Sequence, residues 1–362
     1  MDRGIDAAGD DERRARGARC TGRSAGEQKT TRKSPKKETR CRSLHERGDS
    51  IAGGVAVGRR SNRVINAAVR PRPLEVLNLL TLAALSALAL RLNGRVADSA
   101  GILTRYALMA AGVLIVMAAA RREDRLPPVL RVLVNFYPIG FVPILYESLG
   151  PLIVAARPLA HDDLLIAADR WLFHADPTVE LQRFVRPALT DLFFLAYLTY
   201  YFIAIALGAV IWRRSQSTAR RFIFTLTLAY VVSYAGYFAL PALGPRVALA
   251  SRHTVPLETT SLSRTISSTL DELENTKFDV FPSGHTMIAV VVMIVAFQRA
   301  RAAFWWLLPV AVCLVISTVY CRYHYVVDVI AGAVLAVLTV PLGDRLYDRW
   351  MGAARSRSLT VP

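Results

Sequence analysis

The sequence predicts an all-α, polytopic transmembrane bundle of about eight spans, and three observations predict it. Hydrophobic residues make up 53% of the 362-residue chain, yet its formal net charge is +17. Soluble globular chains rarely combine the two. The charge is also segregated: residues 1–72 hold 19 Lys/Arg against 9 Asp/Glu, while from Leu74 onward long apolar stretches are bounded by arginines. Finally, those stretches approach the roughly 20 residues that a helix needs to cross a hydrocarbon core about 30 Å thick.

Residues 1–72 form a basic N-terminal tail rich in Arg, Lys, Gly and Ser. Such a segment buries too little apolar surface to offset its ordering entropy and is expected to be disordered. Its charge run reads as a solvated face or a contact to anionic lipid, and no nucleic-acid partner is expected. It contains no apolar run long enough for a signal-peptide core.

Eight candidate spans follow: 74–90, 103–120, 132–155, 192–212, 222–240, 284–298, 303–320 and 326–343. The first two make an N-terminal pair within 73–131. The remaining six make a six-helix catalytic core within 132–345, and 346–362 is left as a C-terminal tail. The third candidate is interrupted by Pro138, Pro143, Glu147 and Gly150 and is expected to be kinked or partly re-entrant. The sixth is short.

Arginines orient the bundle, because cytoplasmic loops favour Lys and Arg. Arg121, Arg122, Arg125 and Arg131 follow the second span, and Arg213, Arg214, Arg220 and Arg221 lie between the fourth and fifth. Arg299 and Arg301 lie between the sixth and seventh, and Arg345, Arg349, Arg355 and Arg357 follow the eighth. All fall on one side of an eight-span chain, which predicts a cell-membrane protein with both termini cytoplasmic. The other side carries two long connections. In His161–Arg186, Leu165 and Leu172 repeat at i,i+7 within DDLLIAADRWLF, a pattern suited to an interfacial helix. Asp176-Pro177 then reads as an N-cap with Pro at the first helical position. Val247–Val280 is polar and rich in Ser and Thr. Cys20, Cys41, Cys313 and Cys321 show neither CxxC nor Cys/His metal spacing and read as free thiols.

Three patches at span ends carry chemistry, all on the predicted outer side. They are Pro241–Arg246 (PALGPR), Asp279–His285 (DVFPSGH) and Tyr320–Asp328 (YCRYHYVVD). Ser283 before an apolar run is a good N-cap, leaving helix-start N–H groups free to face an anion. Gly284 permits close backbone approach to a phosphate at the positive end of the helix dipole, and His285 projects from the first turn. His324 and Asp328 lie four apart on one helical face, so the carboxylate can hold one imidazole nitrogen and leave the other as a nucleophile. Ionisable groups at membrane depth are costly and usually functional. Arg246 and Arg322 supply guanidinium groups able to bind phosphate bidentately. Tyr320, Tyr323 and Tyr325 read as an interfacial aromatic belt.

At GPR, FPSGH and YHYVVD, and in the DRWLFHADPT stretch before them, the sequence resembles the type-2 phosphatidic acid phosphatase and vanadium haloperoxidase superfamily. Within it the likeness is to the inositol phosphorylceramide synthase (aureobasidin-resistance) branch, over roughly residues 135–345. The resemblance implies that His324 is a nucleophile forming a phosphohistidine, Asp328 its orienting carboxylate and His285 the general acid. It implies a phosphate cradle of Arg246, Ser283 and Gly284, a site on the extracytoplasmic face, and neither metal nor other cofactor. Two positions depart from the phosphatase pattern: Ala239 stands where a Lys precedes the first-motif Arg by seven, and Thr318 where an Arg precedes the nucleophile by six. Arg322 is a non-positional replacement for that charge.

The function implied is cleavage or transfer of the phosphate of a membrane phospholipid or lipid phosphate. Water as acceptor makes the protein a phosphatase; a polyol such as inositol makes it a head-group transferase. Rival readings are a transporter using an intramembrane His–Asp relay, and a non-catalytic relative of the same fold. No paired broken helices of the transporter kind appear in the sequence.

Overall fold

A computed structural model describes residues 71–258, 260–273 and 276–358, which fall in one compact unit. All but the last two residues of the N-terminal tail lie outside the described residues. Helices α1 (Pro73–Arg91) and α2 (Ser99–Ala120) form the expected N-terminal pair, packed on each other. Pro73 starts α1 where its missing N–H is no loss, and Asp98 caps α2 by accepting from Gly101 N at 2.9 Å.

The third candidate is a broken helix, as its prolines predict. It comprises α3 (Pro128–Phe136), α4 (Pro138–Glu147) and α5 (Leu149–Ala156), interrupted at Tyr137 and Ser148. Together these segments are long and apolar enough to span. Helix α6 (Asp162–Phe173) and the short α7 (Pro177–Glu180) fill the first long connection. Asp176 does not cap α7 with its side chain as expected; its carboxylate is taken by Arg170 at 2.8 Å and by Arg252.

The fourth candidate is two helices, α8 (Pro187–Leu198) and α9 (Tyr200–Arg214), bent by 50°. No proline marks the bend. At the junction the Thr199 hydroxyl turns back onto the Ala196 carbonyl at 2.5 Å, a bond that competes with the helical ladder. Beyond it run α10 (Gln216–Ala239), the single turn α11 (Pro245–Ala248), α12 (Ser261–Leu273), α13 (Gly284–Arg299), α14 (Arg301–Tyr320) and α15 (Val326–Ser358). Among the described residues six helices are long and apolar enough to cross a membrane, and the α8–α9 pair makes a seventh if it is one span. The sixth candidate, α13, has 16 residues and is the most enclosed, packed on α9, α10, α14 and α15. Helix α15 continues through what was expected to be a tail, to Ser358.

Large apolar residues such as Leu80, Leu108, Ile115, Trp306 and Val337 lie exposed around the spans. In water such a surface would drive association; around a hydrocarbon-embedded bundle it is the expected exterior. One end of the bundle is tied by ion pairs: Glu123 binds Arg72 at 2.7 Å and Arg220 at 2.6 Å, and Asn135 donates to Glu123 at 2.9 Å. Trp350 Nε1 donates to Pro71 O at this end too. The three sequence patches assemble at the other.

Candidate active site

Backbone contacts bring the patches together before any side chain does. Ser283 N donates to Asp328 O at 3.0 Å, joining the second patch to the third. Arg246 N donates to Arg322 O at 2.9 Å, joining the first to the third. Gly244 makes that approach possible. It sits at φ +86, and a Cβ there would lie 2.9 Å from Tyr323 O.

His324 is set by its surroundings. Its Nδ1 lies 3.1 Å from Val280 O and 3.2 Å from Asp328 Oδ2. A carbonyl and a carboxylate can only accept, so the Nδ1 proton is fixed and the Nε2 lone pair is left for chemistry. Nε2 faces His285 Nδ1 at 3.3 Å. His285 in turn lies between the rings of Tyr197, 4.4 Å away, and Tyr200, 4.1 Å away. These tyrosines flank the α8–α9 bend, which gives the bend a purpose: it brings both rings to one histidine. Asp328 is fully buried and His324 is 4% exposed.

Ser283 caps α13 as predicted, accepting from Thr286 N at 3.2 Å. Gly284 has a different neighbour from the one expected. A Cβ there would meet the Tyr237 hydroxyl at 2.5 Å, so the packing of α13 on α10 has room for one only if Tyr237 shifts. The arginines also differ from expectation. Arg246 is held by Tyr323 OH at 2.8 Å, Ser267 Oγ at 2.6 Å, Glu258 at 3.0 Å and Asp271 at 3.2 Å. Arg322, with φ +64, donates to Val255 O at 2.6 Å. Both guanidinium groups thus tie down the Val247–Val280 connection. Thr318, where the phosphatase pattern has Arg, accepts the backbone N–H groups of Tyr323 and His324 on its carbonyl and shapes the third-patch turn. The tyrosine belt is also corrected: Tyr320 and Tyr325 are buried, bonded to Thr190 and Asp162, and Tyr323 stacks on Tyr197.

Two residues escaped the sequence reading. Asp162 accepts from Leu243 N and Gly244 N, both at 2.8 Å, and from Tyr325 OH at 2.9 Å. Asp169 accepts from Val326 N at 3.0 Å and Val327 N at 2.8 Å, capping α15 directly before Asp328. Helix α6 therefore grips both the first and the third patch. It is inverted relative to a soluble amphipathic helix: Asp162, Leu165 and Asp169 face inward, while Leu164, Trp171, Leu172 and Phe173 are exposed. The i,i+7 spacing of Asp162 and Asp169 was the available signal. Burial holds Asp169 above the ordinary carboxylate range, against the two N–H bonds. Among the described residues no group of three His, Cys, Asp or Glu side chains is arranged to hold a metal.

Two His rings, a buried carboxylate and a capped helix start are thus brought together from the second and third patches. Residues 163–342 match the PAP2 superfamily. The all-helical, multi-span bundle is consistent with a polytopic helical fold of the PAP2 type. A PA-phosphatase related-family protein of Dictyostelium discoideum is 23% identical over 181 residues, covering 44% of this chain and 33% of that relative. The chain thus spans about a third of the relative it matches. No solved structure matches. The PAP2 match takes in α6 from Asp163 onward, all three patches and the helices between them; the finer likeness to the inositol phosphorylceramide synthase branch rests on the sequence motifs alone.

Proposed function

We propose that the protein is a membrane phosphatase or phosphotransferase that acts on a lipid phosphate through a phosphohistidine at His324. The observation that carries this is the pinned imidazole: Nδ1 between two acceptors, Nε2 aimed at a second histidine. The incoming phosphate displaces the His324–His285 contact and lies between the rings. His324 Nε2 attacks phosphorus, the bond to the leaving oxygen breaks, and His285 protonates that oxygen. Asp328 stabilises the charge that His324 acquires. Water or an alcohol then attacks the phosphohistidine, gives its proton to His285 and restores the resting site. Ser283 and the first N–H groups of α13 supply the oxyanion contacts. Arg246 and Arg322 join them once they release Glu258, Asp271 and Val255. The arginine distribution supports cytoplasmic termini and a site on the extracytoplasmic side.

The two histidines have separable tasks, which makes the test sharp. Purified full-length protein should form an acid-labile phosphoenzyme from a labelled lipid phosphate, and His324→Ala should form none. His285→Ala should lose about 10²–10⁴-fold on a lipid phosphate and recover much of that on an aryl phosphate whose leaving group needs little protonation. Phosphoenzyme surviving in His324→Ala would sink the reading. Product analysis with and without added inositol separates hydrolase from transferase.

A further inference from the structure

Helix α6 holds the site by one face, and its opposite face is exposed and apolar. Leu164, Ala167 and Trp171 recur there at i, i+3 and i+7, with Trp171 77% exposed. Leu164 stands two residues from Asp162 and Trp171 two from Asp169. Each carboxylate that grips the site therefore has an outward apolar residue beside it.

The depth of the helix decides what this stripe meets. His161 N donates to Pro241 O at 2.8 Å just beyond α10, and Asp169 caps the start of α15. Residues 157–161 alone separate α5 from α6. Helix α6 thus runs across the ends of three spans, where hydrocarbon gives way to head groups. A tryptophan ring suits that depth, with its apolar body in the acyl boundary and its N–H in the polar layer.

Charge selects the lipid. Arg157 follows α5 and Arg186 precedes α8; both are exposed, and neither side chain makes a hydrogen bond or ion pair among the described residues. Arg183, also exposed, lies over the exposed ring of Phe184 at 5.0 Å, a cation kept beside an apolar surface. Asp163 and Glu180 are the exposed acids of the same stretch. A second copy docked through the stripe would bring these arginines against their own kind, whereas an anionic lipid surface complements them.

We propose that the outward stripe of α6 seats in the head-group layer of the leaflet facing the site, drawn there by anionic lipid. Seating steadies the four backbone bonds through which Asp162 and Asp169 hold the first and third patches. Those bonds keep His324 and Asp328 in place, so lipid charge regulates the site. The regulation rests on the proposed phosphoryl transfer; the seat does not.

Hydrogen exchange reads the four bonds without relying on turnover. Full-length protein is placed in nanodiscs of phosphatidylcholine alone, or of equal parts phosphatidylcholine and phosphatidylglycerol. Amide exchange is then followed in peptides covering Leu243–Gly244 and Val326–Val327. Phosphatidylglycerol should slow exchange there about tenfold or more, since each arginine beside an anionic surface is worth roughly fivefold. The same change of lipid should raise kcat for a soluble aryl phosphate about fivefold. Arg157→Gln with Arg186→Gln should cancel most of the slowing, and Leu164→Gln with Trp171→Gln should cancel it too. In detergent both pairs should exchange as the wild type does. Equal exchange in the two lipids, or slowing that persists in both pairs, would overturn the proposal. Slowing that follows the number of protein copies per disc instead of lipid charge would also overturn it and assign the stripe to a second copy. Slowed exchange with an unchanged kcat would sink the regulation. Lipid-dependent slowing in a protein with no turnover would support the seat while sinking the proposed chemistry, and turnover with unslowed exchange would do the reverse.

Discussion

Replacing Asp169 by Asn exchanges a single oxygen for an NH₂ group on a buried side chain of α6 and should disturb chemistry at the His–Asp pair. Asp169 is 1% exposed and accepts two backbone N–H groups, from Val326 and Val327, at the first turn of α15. Asparagine keeps one acceptor and turns an NH₂ group toward the other N–H, so one charge-assisted bond is lost and a buried donor is left facing a donor. A hydrogen bond to a charged group contributes about 1.5–3 kcal/mol, and removal of the negative charge from a helix start adds about 0.3–1 kcal/mol. Partial relaxation of the first turn limits the total to about 2–3 kcal/mol. The same turn carries Asp328, one residue beyond Val327, so its displacement is passed to His324. A shift on the order of 1 Å in such a group costs about 10²-fold in rate. The assay is turnover of a soluble aryl phosphate, which removes lipid binding from the comparison, together with thermal unfolding, both in detergent. Asp169→Asn should lower kcat by about 10–100-fold with little change in KM. Trp171→Ala, on the exposed face of the same helix, should leave kcat intact. If Asp169→Asn lost stability but kept wild-type kcat, α6 would be a scaffold only, and the argument that it positions the His–Asp pair would be refuted.

Ser283→Ala removes the cap of α13 and should destabilise by about 1 kcal/mol, read as a lower midpoint in thermal unfolding. His253, bonded to Thr178, has its pKa pushed down to about 4 by burial and then by the Arg322 charge. The unfolded chain protonates this group near pH 6.5 while the folded chain resists until about pH 4, so stability should fall as pH drops through that window. His253→Gln should flatten the dependence, and an unchanged slope would remove His253 from the account; solvent screening keeps the effect modest. For topology, cysteine at exposed Ser268 should react with an impermeant reagent added to intact cells and cysteine at exposed Ser217 should not. Labelling at Ser217 alone would place the site on the cytoplasmic side.

Most of the bundle is legible in the sequence because span formation is a local property: length and hydropathy decide it, and neighbours hardly matter. Pro138 announced the break at Tyr137 for the same reason, while Pro143 sits inside α4 without interrupting it. The α8–α9 bend was not legible. Its junction carries a threonine turned onto its own backbone, and threonines elsewhere in these helices do so without a comparable break. In the site, His324, Asp328, Ser283 and His285 were found because each obeys a short-range rule of spacing or capping. Gly284 was found for an incomplete reason, since the Tyr237 hydroxyl that a Cβ would meet lies 47 positions away in the chain. Asp162 and Asp169 were passed over because an aspartate on a helix beside a membrane reads as a solvated face, and only the fold turns that face inward.

The arginines carry the same lesson into mechanism. A guanidinium near two histidines reads from sequence as a phosphate ligand, but one half withdrawn from water, as Arg246 is, or buried, as Arg322 is, takes the acceptors the fold supplies. Glu258 and Asp271 supply carboxylate oxygens to Arg246 where a phosphate would supply its own, and Val255 O does so for Arg322. On the proposed mechanism the connection that contributes those groups, Val247–Val280, would share its anchors with the substrate. Binding an anion means exchanging one set of charge-assisted bonds for another of similar strength, so the arginines add little net affinity. On the proposed mechanism they would add selectivity instead: a neutral head group would not displace the carboxylates from Arg246, while a phosphate would.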